Sequence, residues 1–192
     1  MTEKKEEVFL KNLQRLIEHI AHDNNKKKQL KQIKLKQSKT NNINNRGCIQ
    51  QALRLPGLYT FGEIMEHEHA KALKGTQQGE WYNVLELFAS GTYEQYKANS
   101  SKYPKLDEKQ LFKLKQLSVV SLAEKSASKV LNYNDLMTRL DIGTVRELED
   151  VIINCIYEGL VHGRLNQSKN QLEIDYVSGR DINAAQISGS VP

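Results

Sequence analysis

Residues 144–181 read TVRELEDVIINCIYEGLVHGRLNQSKNQLEIDYVSGRD. The first half of this stretch has apolar residues at helical spacing, namely Leu148, Val151, Ile152, Cys155 and Ile156. That spacing predicts a helix with one apolar stripe facing a core. Thr144 and Glu147 have the spacing of a capping box at its start, and Gly159 is suited to end it.

The second half of the stretch predicts a β-hairpin. Leu172, Ile174 and Tyr176 alternate with polar residues, which is the pattern of a strand with one buried face. A polar turn, 166–170, separates this strand from Leu165 on the other arm. We expect Leu172, Ile174 and Tyr176 mainly to secure the hairpin, and we include these three and Leu165 among the predicted partner-binding residues.

Two further helices are predicted before this stretch. Asp107 and Gln110 have capping-box spacing ahead of an apolar run of Leu111, Leu114, Leu117 and Val120. Asn132 is predicted to cap a short second helix that contains Leu136, Met137 and Leu140, and residues 141–143 form a turn. Three helices followed by a hairpin predict a winged helix over residues 105–181.

The charge of the third helix argues against DNA binding, a common function of winged helices. Residues 107–177 carry nine Lys or Arg and eleven Asp or Glu, a net charge of −2. On the third helix and at its end, Arg146 is opposed by Glu147, Glu149, Asp150 and Glu158. Because duplex affinity comes largely from Lys and Arg displacing counterions, this helix would be repelled by a polyanion.

A second stripe on the third helix consists of Arg146, Asp150, Ile153 and Tyr157. If the first stripe faces the core, the second stripe either contacts another protein or is buried against helices of the same chain. The pattern leaves both readings open. We take Ile153 and Tyr157 as predicted partner contacts.

Several segments closely resemble one family of scaffold proteins. They are LKQLSVVSLAEK (114–125), RELEDVIINCIYEGLVHGRL (146–165), NQLEIDYVSGRD (170–181), LPGLYTFGEIM (55–65) and LFASGTYEQY (87–96). These segments are similar to the subunit-seven family of the COP-nine signalosome, whose domain type is the PCI domain. The resemblance covers about two thirds of the chain, and the run ending in Gly179, Arg180 and Asp181 is among its more specific parts.

The resemblance implies a mainly α fold, in which a helical-repeat segment (51–104) leads into the winged helix with its small antiparallel hairpin. Trp81, Val84, Leu85 and Phe88 have helical spacing that agrees with such repeats. In PCI proteins, the wings of neighbouring subunits add their sheets together by strand-edge pairing. The expected partners are therefore other PCI subunits of the signalosome and, through them, its zinc-dependent subunit that removes Nedd-eight from cullins.

This resemblance implies a noncatalytic scaffold, present in the cytoplasm and nucleus. Two alternatives are a PCI subunit of the proteasome lid or of a translation initiation factor, and a nucleic-acid-binding winged helix. The subunit-specific segments disfavour the first, and the acidic third helix disfavours the second.

The N-terminal quarter departs from the family pattern. Residues 1–23 predict an amphipathic helix, and residues 24–50 predict a linker with seven lysines between Lys26 and Lys39. Residues 1–47 carry a net charge of +7. The lysine run has the composition of a nuclear localisation signal or a weak nucleic-acid-binding patch, although such runs are more often only solvated. Cys48 is expected in a loop. Residues 182–192 form a Gly- and Ser-containing tail, where family members ordinarily continue into further helices.

No catalytic, cofactor or metal site is predicted. His67 and His69, with Glu63 and Glu80, superficially resemble the JAMM metalloprotease pattern, but Gln77 stands where that pattern has Ser and Glu80 where it has Asp. His67 and His69 are two positions apart, so on a helix their imidazoles would point to different sides and could not bind one metal ion together. No apolar run approaches the length of a membrane span, so no membrane association is expected.

Overall fold

The computed structural model describes residues 45–66, 71 and 79–181. They belong to two compact units that divide between Leu85 and Glu86, and each unit is described by itself. The predicted helix 1–23, the pair of His67 and His69, and the tail 182–192 lie outside the described residues. Within the described part of the chain, no helix has the length and hydropathy needed to cross a membrane.

The first unit contains helices α1 (Asn45–Arg54) and α2 (Gly62–Glu66) and most of α3 (Gly79–Ser90), which crosses the division. Cys48 lies in α1, so its expected position in a loop is wrong, and the end of the predicted linker 24–50 is helical. The reason is an apolar stripe with i, i+3, i+4 spacing, whose members are all buried: Ile49, Ala52 and Leu53.

The predicted apolar stripe of α3 is buried, as expected for Trp81, Val84, Leu85 and Phe88. Helix α3 ends just before Gly91, where an added Cβ would lie 2.6 Å from Leu87 Cδ1. Helix α4 (Tyr93–Ala98) then begins with a capping box formed by Thr92 and Gln95. A short 3-10 helix (Ser100–Lys102) follows.

Helix α5 (Glu108–Lys125) begins with the predicted capping box. Asp107 Oδ1 accepts from the Gln110 amide at 2.8 Å, and Gln110 Oε1 accepts from the Asp107 amide at 3.0 Å. Two orphan donors of the first turn are thereby satisfied. The buried apolar residues of α5 are Leu114, Leu117, Val119, Val120 and Ala123.

Helices α6 (Tyr133–Leu140) and α7 (Val145–Tyr157) complete the helical layer of the second unit. On α7 the predicted core stripe is buried at Leu148, Val151, Ile152 and Cys155. Thr144 Oγ1 caps α7 by accepting from the Glu147 amide at 3.3 Å. At its other end, the amide of Gly159 bonds Ile156 O and that of Leu160 bonds Cys155 O, with Gly159 at φ +71°. This is a Schellman motif, which confirms the predicted stop.

The sheet has three strands, β1 (Val130–Asn132), β2 (Val161–Asn166) and β3 (Gln171–Val177), in the antiparallel order β1-β3-β2. β1 was not predicted, because three residues are too few to show an alternating pattern. Asn132 is at the N-cap position of α6 as predicted, but its side chain makes no capping hydrogen bond. Its side chain belongs to the sheet instead, where Asn132 Oδ1 accepts from Gln171 Nε2 at 2.9 Å.

A β-bulge reverses the side-chain alternation near the end of β3. His162 pairs with Tyr176, but the next residue, Gly163, pairs with Ile174, so that Asp175 is left as an extra residue. One extra residue moves the following side chain to the other face. Leu172 and Ile174 are buried as predicted, whereas Tyr176 is 62% exposed. The expectation that all three share one buried face is therefore wrong for Tyr176.

Gly163 makes this bulge possible, because a Cβ at that position would lie 2.2 Å from the Glu173 carbonyl oxygen. We expect Gly163→Ala to lower the free energy of unfolding by about 1–3 kcal/mol, since strand backbone must move to relieve the overlap. Urea denaturation followed by circular dichroism measures the change. Gly143→Ala is the control, because an added Cβ there meets nothing within 4 Å. Equal stability of the two variants would contradict the role assigned to Gly163.

Cys155 lies at the centre of the second unit. It is fully buried, its thiol lies 3.8 Å from Gln116 O on α5, and burial raises its pKa to about 12. A thiol whose pKa is higher in the folded state favours folding below its unfolded pKa of about 8.5, and that contribution is lost as pH rises toward the folded pKa.

We therefore expect alkaline conditions to destabilise the protein in part through Cys155. Between about pH 8 and about pH 10.5 the Cys155 contribution should fall by about 2 kcal/mol, because the unfolded thiol ionises and the folded one does not. Urea denaturation of wild type and Cys155→Ala at both pH values isolates this contribution, since lysine and tyrosine titrations are common to both proteins. The same loss of stability in both proteins would show that Cys155 ionises freely in the folded state.

Candidate partner-binding surface

The outer face of α7 carries two large apolar side chains. Ile153 is 36% exposed and Tyr157 is 86% exposed. They are one helical turn apart on the same face, in the stripe that also contains Arg146 and Asp150, both exposed. The helices of the described residues do not bury Ile153 and Tyr157, contrary to the alternative reading of this stripe.

The acidic residues of α7 have different surroundings. Glu147 and Asp150 are exposed, whereas Glu149 is half-buried. Glu149 Oε1 accepts from the Tyr133 hydroxyl at 3.3 Å, and from Gln167 Nε2 at 3.1 Å. One carboxylate thus joins α7 to the start of α6 and to the turn of the hairpin.

Burial is the main cause that raises the pKa of Tyr133 to about 12, and the neighbouring Glu149 carboxylate adds to it. The phenol therefore stays protonated and donates its hydrogen bond at neutral pH. Because α6, α7 and the hairpin turn meet at Glu149, the position of the wing relative to α7 is fixed by a polar contact as well as by the core.

The β2 strand provides an open edge. β3 is the central strand and is paired on both sides, while none of the strands in the described part of the chain pairs with the outer edge of β2. β2 is six residues long, twice the length of the other edge strand, β1. An unpaired edge of this length presents backbone donors and acceptors to which another strand can be added.

The outer face of the wing is formed by side chains that point away from the helices. His162 and Tyr176 pair across the strands with ring centroids 5.7 Å apart. The next outward pair is Arg164 and Glu173, whose charged groups lie 3.5 Å apart. This face therefore combines one aromatic pair with one exposed ion pair.

The predicted wing residues divide into two groups. Leu172 and Ile174 are buried and Leu165 is half-buried opposite Leu172, so these three hold the hairpin onto the helices. Tyr176 is available to a partner on the outer face, and Ile153 and Tyr157 are available on α7. Which of them a partner contacts stays a prediction.

In residues 45–66, 71 and 79–181, no three His, Cys, Asp or Glu side chains are grouped so that they could hold a metal ion. The two histidines of the decoy pattern, His67 and His69, lie outside these ranges.

Comparison with known proteins identifies the domain. The PCI domain family matches residues 93–175, from the start of α4 into β3. COP9 signalosome complex subunit 7 of Arabidopsis thaliana is 43% identical over 140 residues, 72% of this chain and 53% of that protein. The subunit 7 of Drosophila melanogaster is 41% identical over 134 residues, 70% of this chain and 48% of that protein. The chain belongs to the PCI-domain family of COP9 signalosome subunit 7.

The similarity to subunit 7 extends to distant organisms. The Dictyostelium discoideum protein of the same name is 37% identical over 143 residues, 74% of this chain and 54% of that protein. The chain spans about half the length of the curated relatives it matches.

Two residues on the outer face of the wing were missed by the sequence analysis, and a third was misplaced. His162 and Arg164 were not singled out, and Tyr176 was placed on the wrong face. One signal was available, since a glycine inside a strand pattern, here Gly163, often marks a bulge or a close backbone approach.

We expect the Glu149 contact to hold the hairpin turn in place. Glu149→Ala removes the acceptor of two hydrogen bonds, so it should cost about 1–2 kcal/mol and speed amide hydrogen exchange in the turn 167–170. Asp150→Ala is the matched control, because it removes the same charge from a neighbouring exposed position of α7. If both variants left exchange in the turn unchanged, Glu149 would not be the tie that the geometry indicates.

Proposed function

We propose that this chain is a noncatalytic subunit of the COP9 signalosome, the complex that removes the ubiquitin-like protein Nedd-eight from cullins and so regulates cullin-RING ubiquitin ligases. The observation that carries the proposal is the similarity to subunit 7 of a plant, an insect and a slime mould, at 37–43% identity over about 70% of the chain. The matched PCI domain includes α7 and most of the wing. Such a subunit acts by binding its neighbours in the complex.

The proposed mechanism of assembly has two parts. The first is addition of a neighbouring strand to the outer edge of β2, because backbone pairing gives affinity without demanding particular side chains. The second is contact through the exposed stripe of α7, where Tyr157 and Ile153 supply apolar area and the acidic residues around them favour a basic counterpart. The partners proposed are other PCI subunits and, through them, the zinc-dependent deneddylase subunit.

Charge supports a protein partner over a nucleic acid. Around the exposed stripe, Arg146 is outnumbered by Glu147 and Asp150, both at the surface. A duplex would gain little from this face, because affinity for phosphates depends on clustered Lys and Arg. The proposal includes residence in the cytoplasm and nucleus, and the lysine-rich segment 26–39 has a composition suited to nuclear import.

Affinity purification of the tagged full chain, with mass spectrometry and a cullin deneddylation assay on the eluate, tests the function. Recovery of PCI subunits of the signalosome together with zinc-dependent deneddylation is the expected result. Recovery of proteasome-lid or translation-factor subunits in their place would refute it.

The α7 contact is tested by Tyr157→Asp. Since the ring is 86% exposed, the folded domain should tolerate the change, and circular dichroism melting should remain close to wild type. Capture of PCI subunits should fall by about tenfold or more, because a carboxylate would be buried at the contact.

Two matched variants control this experiment. Tyr157→Phe keeps the ring and should retain capture. Phe112→Asp introduces the same charge at another exposed aromatic residue, on α5, and should also retain it. Unchanged capture by Tyr157→Asp, or an equal loss with Phe112→Asp, would remove Tyr157 from the interface.

A further inference from the structure

In the segment that follows β3, the Arg180 side chain makes several contacts with the helices. β3 ends at Val177, and the amide of Ser178 donates to Leu160 O at 2.9 Å. Arg180 then turns its guanidinium group toward the helices. Its NH1 donates to Gly91 O at 2.7 Å, to Ser121 Oγ at 2.6 Å and to Leu117 O at 3.3 Å, and its NH2 donates to Phe88 O at 2.7 Å.

These four acceptors come from two places in the helical layer. Phe88 O is one of the last carbonyls of α3, which have no partner within the helix, and Gly91 lies at the break that follows. A cation at this end also complements the helix dipole. Leu117 and Ser121 are successive positions on one face of α5. One planar guanidinium group therefore joins the segment after β3 to the C-terminal end of α3 and to one face of α5.

The charge on Arg180 requires these contacts. Burial lowers the pKa of Arg180 to about 10, so the group is still protonated at neutral pH. A buried cation is tolerated only where acceptors replace its water, and charge-assisted hydrogen bonds of this kind are stronger than neutral ones. A lysine ammonium could not reproduce the fork that spans both helices.

The acceptors of Arg180 can be assigned to one of the two faces of the sheet. Leu172 and Ile174 are buried on the side of the helices, and α5 packs on that side against β3. His162, Arg164 and Tyr176 lie on the opposite, outer face. All acceptors of Arg180 belong to the helical side.

We propose that Arg180 is a latch that holds residues 178–181 on the helical side of the sheet, clear of the outer face of the wing that carries His162 and Tyr176. The latch thereby keeps these four residues off a face that a partner could contact. Its test on the isolated chain does not depend on the proposed function.

Hydrogen exchange measured by mass spectrometry on the full chain tests the latch. Arg180→Met keeps an unbranched side chain but removes the guanidinium group. We expect the amides of Ser178 and Gly91 to exchange about tenfold to a hundredfold faster, because charge-assisted hydrogen bonds that hold both segments are lost. Exchange along the buried stripe of α7 should be unchanged. Arg164→Met, at an exposed arginine on the outer face, is the matched control and should alter neither amide.

Two results would overturn the proposal. One is unchanged exchange at Ser178 and Gly91 in Arg180→Met. The other is an equal increase throughout the second unit, which would make Arg180 a general stabilising residue. If Arg180→Met does not fold, Ser121→Ala decides, since it removes only the acceptor at 2.6 Å. A severalfold faster hydrogen exchange confined to the amides of Ser178 and Gly91 then supports the latch, and unchanged exchange at both amides refutes it.

Discussion

The second unit depends on burial of one stripe of α7 against α5 and the sheet. Leu148, Ile152 and Cys155 have almost no exposed surface, and the Cys155 thiol reaches the backbone of α5 at Gln116. Burying these side chains stabilises the unit by removing apolar area from water. It also fixes the rotation of α7 about its own axis. The opposite stripe, with Ile153 and Tyr157, is presented at the surface as a geometric consequence of that burial.

Polar contacts then set the position of the wing. The apolar core holds Leu172 and Ile174, but a hydrophobic contact is not directional and permits small rotations of a hairpin. Glu149 removes that freedom by accepting hydrogen bonds from Tyr133 and Gln167. The acidic residues of α7 thus have two roles. Glu149 joins α7 to α6 and to the hairpin turn, and Glu147 and Asp150 place negative charge on the exposed surface.

The bulge at Asp175 connects the fold with the proposed function. Before the bulge, β3 directs Leu172 and Ile174 into the core, and after it the strand directs Tyr176 outward beside His162. Gly163 allows this because its missing side chain admits the Glu173 carbonyl. A single irregularity therefore gives the wing an aromatic outer face while its inner face stays apolar.

The sequence by itself determined the elements whose physics is local. The capping box of Asp107 and Gln110, the stop at Gly159 and the core stripe of α7 were predicted because each depends on residues within one or two helical turns. The family was inferred from the resemblance of whole segments, such as 146–165 and 170–181. Only the tertiary structure decided the outward position of Tyr176, the short strand β1 and the contacts of Arg180. These depend on backbone register and on acceptors far away in sequence, such as Phe88 and Ser121, and no periodicity along the chain records which distant backbone groups a side chain will meet.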